Sequence, residues 1–279
     1  MSRKVGLIGC GTIGSELALA IDNGMVPKAE LVVLYDKVEN VATELQSKLR
    51  NTTTKTFSNF SKLISSTAFT NADIVIEAAS QDAVRKFAKT ILQLGKDLII
   101  MSVGALGERD FLHELVDLAS QRQVHIYVPT GAIAGIDAIR SVRHLLHSVT
   151  ITTTKSPKAL AGAPFFETAR FKAESISRKK LIYEGTAGDA VKKFPANVNV
   201  AAALSLAGLG MDATKVKIIA DPSVSVNQHE ITAKGKFGEI NIVVRNTPSP
   251  NNPKTSYLAI LSAIECIRSI CNENIRIGT

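Results

Sequence analysis

Along residues 4–128, short runs of branched apolar residues alternate with longer segments in which apolar residues recur every three or four positions. The runs 5–8, 31–35, 74–76, 98–101 and 124–128 predict strands, and 13–22, 41–49, 82–94 and 110–122 predict amphipathic helices between them. That alternation belongs to crossover helices packed over a parallel sheet. Asp82 and Asp110 stand where an acidic residue favours a helix start.

The texture changes after Pro129. Small residues predominate over 131–135, 150–154 is threonine-rich, and a polar, basic stretch covers 155–180. Farther on, 216–220, 228–233 and 239–244 alternate as antiparallel strands do, and Gly235 suits the turn between the last two. The apolar period over 255–271, after the proline-rich 248–253, predicts a closing helix that packs back on the first domain. The fold class is therefore α/β: a Rossmann-type, doubly wound parallel sheet over 1–130, then an α+β domain over 131–253 built on a mostly antiparallel open sheet, with 254–279 returning to the first domain. Substrate binding, catalysis and dimerisation are expected of the second domain.

Composition narrows the class without naming a chemistry. A chain of 279 residues that is 45% hydrophobic and 21% charged is an ordinary globular protein with room for two domains. It has no apolar run of membrane-spanning length and no signal-like start, so a cytoplasmic protein without a membrane partner is expected. Cys10, Cys266 and Cys271 have neither metal-ligand nor disulfide spacing; reduced thiols and no metal are expected. The net charge of +8 is scattered rather than gathered into a nucleic-acid surface, and a diffuse basic field favours small anions, a dinucleotide or a dicarboxylate among them.

The sharpest local signal is Gly9-Cys10-Gly11-Thr12-Ile13-Gly14, a G-x-G-x-x-G directly after a strand and at the opening of a helix. Gly9 makes the tight turn, Gly11 lets the backbone approach a pyrophosphate, and Gly14 lets helix and strand pack closely. Twenty-two residues beyond Gly14, Asp36 ends the second strand, where a carboxylate receives a ribose 2′-hydroxyl and repels a 2′-phosphate. NAD is the expected cofactor, with NADP admitted because Lys37 adjoins Asp36. Ala78, in Glu77-Ala78-Ala79-Ser80, gives the dinucleotide room along the carboxyl edge of the sheet, while Ser80 also suits a helix cap.

In the second half, His229 within Asn227-Gln228-His229-Glu230 is a candidate proton carrier, since imidazole exchanges protons near neutral pH. Asn197 and Asn199 open an Ala-rich helix; one can cap it while the other binds a carboxamide or carboxylate. Lys254, Thr255 and Ser256 join a cation and two hydroxyls at an expected helix N-terminus, an arrangement that binds anions and makes them the candidate substrate-binding residues.

Taken together, the glycine turn, Glu77-Ala78-Ala79-Ser80, Gly131-Ala132-Ile133-Ala134-Gly135-Ile136-Asp137-Ala138, the 193–201 segment, Asn227-Gln228-His229-Glu230 and Asn252-Pro253-Lys254-Thr255-Ser256 give a chain that resembles the L-aspartate dehydrogenase family over nearly its whole length. The resemblance implies NAD(P)-dependent oxidative deamination of L-aspartate to iminoaspartate and then oxaloacetate and ammonia, in some organisms feeding NAD synthesis. It also implies that His229 is the active-site histidine and that Ala132 and Asn199 contact the cofactor. The 155–180 stretch is longer than the family pattern. A small dicarboxylic amino acid is the expected partner, no nucleic acid is expected, and an open sheet with one bare face suits a homodimer. Two other readings are a two-domain reductase of the dihydrodipicolinate reductase or homoserine dehydrogenase type, and a non-enzymatic NAD-binding redox sensor. An acylating semialdehyde dehydrogenase is disfavoured, because no cysteine lies in the second domain.

Overall fold

The computed structural model describes residues 2–195, 198–250 and 252–272, with the side chains of 252–254 and 272 outside the described set. The described residues form two compact units, those of 2–129 with 260–272 and those within 130–259.

The first unit contains strands β1 (Arg3–Ile8), β2 (Ala29–Tyr35), β3 (Lys55–Phe57), β4 (Ile74–Glu77), β5 (Asp97–Ile100) and β6 (Ile126–Tyr127). Its helices are α1 (Thr12–Asp22), α2 (Glu39–Ser47), α3 (Phe60–Ile64), α4 (Thr67–Thr70), α5 (Gln81–Gln93) and α6 (Arg109–Arg122). The six strands lie in the order β3-β2-β1-β4-β5-β6, every pairing parallel. That order reverses direction at β1, and the carboxyl edge beside such a switch point is where doubly wound sheets bind ligands. Central strands are buried on both faces, which is why Ile74, Val75 and Ile76 form a continuous apolar run instead of alternating. Edge strand β3, Lys-Thr-Phe, has no apolar run and carries no sequence signal of its own.

The second unit holds α7 (Ile136–Ser141), β7 (Leu146–Lys155), α8 (Pro157–Leu160), α9 (Phe165–Thr168), β8 (Lys180–Thr186), α10 (Ala187–Lys193) and α11 (Asn199–Ala207). It continues with β9 (Lys215–Ala220), β10 (Asn227–Gly235), β11 (Gly238–Asn246), β12 (Pro248–Ser249) and β13 (Asn252–Ser256). Five strands pair in the order β11-β10-β7-β9-β8, antiparallel except for β7 with β9. Burial alternates along β10, with Asn227, His229, Ile231 and Ala233 inside and the intervening residues toward solvent, so one face of the sheet is covered. The threonine-rich 150–154 stretch is the centre of β7, in the middle of this sheet.

The chain closes with α12 (Tyr257–Asn272), whose Ile260, Ala263, Ile264 and Ile267 enter the same buried cluster as Val5, Leu7, Leu17 and Ile21 of the first unit. The start of this helix corrects an expectation. Residues 254–256 belong to β13, paired antiparallel with β12, so they are extended strand residues and the helix begins directly after them, at Tyr257. Pro253, which cannot continue a helix from the preceding turn, and the β-branched Thr255 favour the extended state over the first turn that apolar period alone suggests.

Candidate active site

The glycine turn is built by close approach. Gly9 has φ +96°, and a Cβ there would come within 2.7 Å of the Ala78 carbonyl, so both its conformation and its neighbours require glycine. At Gly14 a Cβ would lie 1.9 Å from the Gly9 carbonyl oxygen, since α1 packs its first turn directly onto the loop. Gly11 differs: its backbone is ordinary, φ −68°, and a Cβ would meet nothing within 4 Å. The space beside Gly11 is the observation that fits a pyrophosphate, which needs room at the helix N-terminus and backbone N–H groups facing it. Thr12 and Ile13 form the first turn of α1, half-buried, with Ile13 packed on the core.

A cleft of about 370 Å³ opens from this turn, lined among others by Gly9, Gly11, Asp36, Lys37, Ala78 and Lys86. One oxygen of Asp36 accepts from the Cys10 N–H at 2.9 Å and the other from the Val38 N–H at 3.0 Å, which holds the carboxylate at the end of β2. Tyr35 meets Phe60 and Phe87 edge-on, and those two rings stack at 4.0 Å, making an aromatic floor near the cleft. Burial, reinforced by Asp36, pushes the Cys10 thiol up to about 12, so it remains protonated and inert.

Glu77, quoted in the sequence but given no role there, organises the opposite wall. It is 2% exposed. Its Oε1 accepts from the N–H groups of Ala79 and Ser80 and the Ser102 hydroxyl, and its Oε2 from the Ser102 N–H, at 2.8–3.0 Å. Burial raises its carboxyl above the ordinary carboxylate value while these donors pull it back. The carboxylate thereby fixes the β4–α5 turn on which Ala78 lines the cleft. Ser80 is the cap of α5, accepting from the Ala83 N–H at 3.2 Å.

In the second unit the covered face of β7 and β10 carries the polar cluster. Thr153 pairs with His229 across the two strands, and Thr153 Oγ1 lies 2.9 Å from His229 Nδ1. The ring is 2% exposed. Burial, with the nearby Lys155 charge second, drives His229 down to about 3, so the imidazole is neutral around pH 7. Two residues beyond Thr153 on the same face stands Lys155, 6% exposed and lowered by burial to about 8. Across from it Asn227, at the head of β10, donates to Ser256 Oγ at 3.1 Å. Thus β10 and β13 bring His229 and Ser256 into one neighbourhood, with Thr255 beside Ser256.

The other expected residues are distributed as follows. Ala132 is buried, and its carbonyl accepts from Asn246 Nδ2 at 2.9 Å. Asn199 is the first residue of α11, whose N-cap is Val198, so Asn199 is inside the helix and does not cap it. Asn197 lies outside the described residues, as does the side chain of Lys254. Thr153 and Lys155 were missed because threonines and the start of a basic stretch masked a strand. The signal was there: Val149, Ile151, Thr153 and Lys155 alternate with period two. Among the described residues, no cluster of three His, Cys, Asp or Glu could hold a metal, and no helix is long and apolar enough to cross a membrane.

Comparison with known proteins places this architecture. Residues 137–270 match the model "Aspartate dehydrogenase, C-terminal", and residues 9–129 match "Homoserine dehydrogenase, NAD binding domain". L-aspartate dehydrogenase of Nitrosopumilus maritimus is 47% identical over 277 residues, 99% of this chain and 100% of the relative. That of Methanosarcina barkeri is 48% identical over 99% of both chains. A crystal structure of aspartate dehydrogenase from Thermotoga maritima superposes with TM-score 0.76 at 25% identity, covering 100% of each chain. With full-length identity at this level and the same two-part fold, the chain belongs to the L-aspartate dehydrogenase family.

Proposed function

We propose that this chain is an L-aspartate dehydrogenase that oxidatively deaminates L-aspartate to iminoaspartate, which water converts to oxaloacetate and ammonia. The observation that carries the proposal is a neutral, buried His229, tethered by Thr153, in a chain 47% identical end to end to an L-aspartate dehydrogenase. The nicotinamide dinucleotide, when bound, supplies the C4 that takes hydride from substrate C2. Gly9, Gly11, Thr12, Ile13 and Gly14 would hold its pyrophosphate, Asp36 its adenosine ribose, and Ala78, Ala132 and Asn199 its remaining contacts.

For His229 to accept a proton at Nε2, Nδ1 must carry the hydrogen and donate it to Thr153 Oγ1, which fixes both tautomer and ring orientation. The substrate ammonium gives one proton to His229 as C2 loses hydride, leaving a protonated imine. His229 passes that proton to solvent; water then adds to C2 as His229 takes a proton from it and returns it to the amine, and the carbinolamine collapses to the ketone as ammonium departs. General acid–base assistance of this kind is worth about 10² to 10⁴ in rate. The Ser256 and Thr255 hydroxyls, with Lys254, are the proposed donors to the substrate carboxylates.

Asp36 favours NAD, while Lys37 and Lys86 on the same cleft keep NADP workable. We further propose a cytoplasmic homodimer and a contribution to NAD synthesis; sedimentation tests the dimer and genetic complementation the pathway. The function is tested by following reduced nicotinamide absorbance with L-aspartate, homoserine and other amino acids. Aspartate-specific turnover that falls at least about 100-fold in His229→Asn, with NADH affinity retained, is expected. NADH binding without aspartate turnover in the unaltered chain would overturn it in favour of a sensor.

A further inference from the structure

The segment that carries Ala132 is tied to β11 by the Asn246 side chain. Gly131 and Gly135 flank it at φ +71° and +73°, left-handed conformations that glycine adopts freely. Both ends of the segment are packed. A Cβ on Gly135 would overlap Ile242 Cδ1 of β11, and one on Gly131 would stand 3.5 Å from Val200 Cγ1 of α11. Between those ends, the peptide that links Ala132 to Ile133 is fixed by Asn246, whose Nδ2 donates to the Ala132 carbonyl at 2.9 Å. Asn246 ends β11 opposite Asn227, while Val244 lies opposite His229, so the asparagine stands on the covered face one alternation beyond the imidazole.

Asn246 is 3% exposed, and among the described residues its Oδ1 has no hydrogen-bond partner. A buried amide that leaves its acceptor unpaired destabilises a fold, and an apolar side chain of similar shape, such as leucine, avoids that loss. What leucine does not supply is the donor to Ala132. We propose, resting on the cofactor contact assigned to Ala132 above, that Asn246 is a positioning residue for the nicotinamide end of the dinucleotide. Its Nδ2 holds the 131–135 segment in the conformation on which that end docks, and the unpaired Oδ1 is what keeping a donor at this place entails. A segment bounded by two left-handed glycines loses backbone freedom when a ligand settles on it, and one already fixed by a hydrogen bond loses less, so the bond is read out as affinity for the group that touches Ala132. Hydride transfer also tolerates little displacement of a segment in contact with the reacting ring. The pyrophosphate and adenosine ribose contacts proposed at Gly11 and Asp36 belong to the first unit and do not depend on this bond.

The test compares the full-length chain with Asn246→Leu, which keeps the shape of the side chain and removes its donor. Calorimetry measures the affinity of each for NADH and for ADP-ribose, which has the adenosine, the pyrophosphate and the second ribose but no nicotinamide. For Asn246→Leu we expect NADH affinity to fall about tenfold, the upper range for one net hydrogen bond, and ADP-ribose affinity to stay at the parent's value. Tyr183 packs on Phe165 and Phe194 in the second unit, so the near-ultraviolet circular dichroism of those rings reports whether that unit keeps its fold, and it should match the parent's. Parental NADH affinity in Asn246→Leu, an equal fall for both ligands, or a collapsed aromatic spectrum overturns the proposal, the last because it makes Asn246 a folding residue. A parent that binds NADH no more tightly than ADP-ribose overturns the cofactor contact at Ala132 and the proposal with it. If the parent does not oxidise aspartate while Asn246→Leu still weakens NADH alone, the aspartate dehydrogenase reading falls and the positioning role stands.

Discussion

Replacing Gly14 and Gly11 by alanine, one at a time, separates the packing role of the glycine turn from its ligand role. At Gly14 the new Cβ would stand 1.9 Å from the Gly9 carbonyl oxygen and 3.0 Å from its carbon, both backbone atoms. Ordinary contact needs about 3.2 Å or more, so α1 or the loop must retreat by roughly 1.3 Å, and overpacking of that kind costs about 1–3 kcal/mol. Gly9 cannot yield cheaply, because it is itself pressed against Ala78 at φ +96°. At Gly11 the φ of −68° suits any residue and the Cβ enters open space, so Gly11→Ala should leave stability unchanged or raise it by about 0.4–1 kcal/mol through the unfolded chain. The same methyl would occupy the room assigned to the pyrophosphate. Urea unfolding and NADH fluorescence titration on both variants form the assay. We expect Gly14→Ala to be destabilised and to bind NADH weakly, and Gly11→Ala to be fully stable yet bind NADH at least about tenfold more weakly. A Gly11→Ala protein with parental NADH affinity would refute the placement of the dinucleotide.

Three further outcomes follow from the same geometry. Asp36→Ser keeps an acceptor near the Cys10 and Val38 N–H groups but removes the charge, so the ratio of kcat/KM for NADP over NAD should rise at least about tenfold; an unchanged ratio would remove Asp36 from cofactor selection. Glu77→Gln turns an acceptor of four donors into one that must present its own N–H₂ to some of them, costing about 1–3 kcal/mol for a lost buried partner in urea unfolding, whereas a neutral result would mean the carboxyl is protonated in the folded protein. His229, lowered from 6.5 to about 3 in the fold, binds its proton more readily unfolded. Its contribution is therefore complete above about pH 6.5 and is lost as pH falls through 3, up to about 5 kcal/mol at 1.4 kcal/mol per pH unit. His229→Gln should flatten that acid slope in urea midpoints measured from pH 7 to pH 4, and parallel slopes would show that the imidazole is not buried neutral.

Much of the first unit was legible because its physics is local. Strands buried on both faces must be apolar throughout, crossover helices must repeat every three to four residues, and a turn that folds backbone onto backbone at Gly9 and Gly14 admits only glycine. Periodicity therefore located β1, β2, β4 and β5 and their helices to within a residue or two. It failed at β3, an edge strand of three residues, and it overextended β6 past Ile126–Tyr127. In the second unit, β10 and β11 announced themselves by alternation, but β7 did not, because threonines at 150 and 152–154 look polar although Thr153 and Thr154 are buried. At the chain's end the apolar period ran on from strand into helix, and only the pairing of β13 with β12 placed Thr255 and Ser256 in a sheet.

What the sequence determined by itself was the dinucleotide turn and the alternation that makes the first unit, since both depend on residues within a single βαβ stretch and on steric rules that hold in any context. It also singled out His229 through family resemblance, without saying what the imidazole touches. Tertiary structure alone decided that. The antiparallel register of β7 and β10 sets Thr153, seventy-six residues away in sequence, against Nδ1 of His229 and places Lys155 on the same covered face. Long-range pairing of this kind depends on which strands share a sheet and in what register, and a lysine next to a run of threonines carries no local mark of the burial that such pairing imposes.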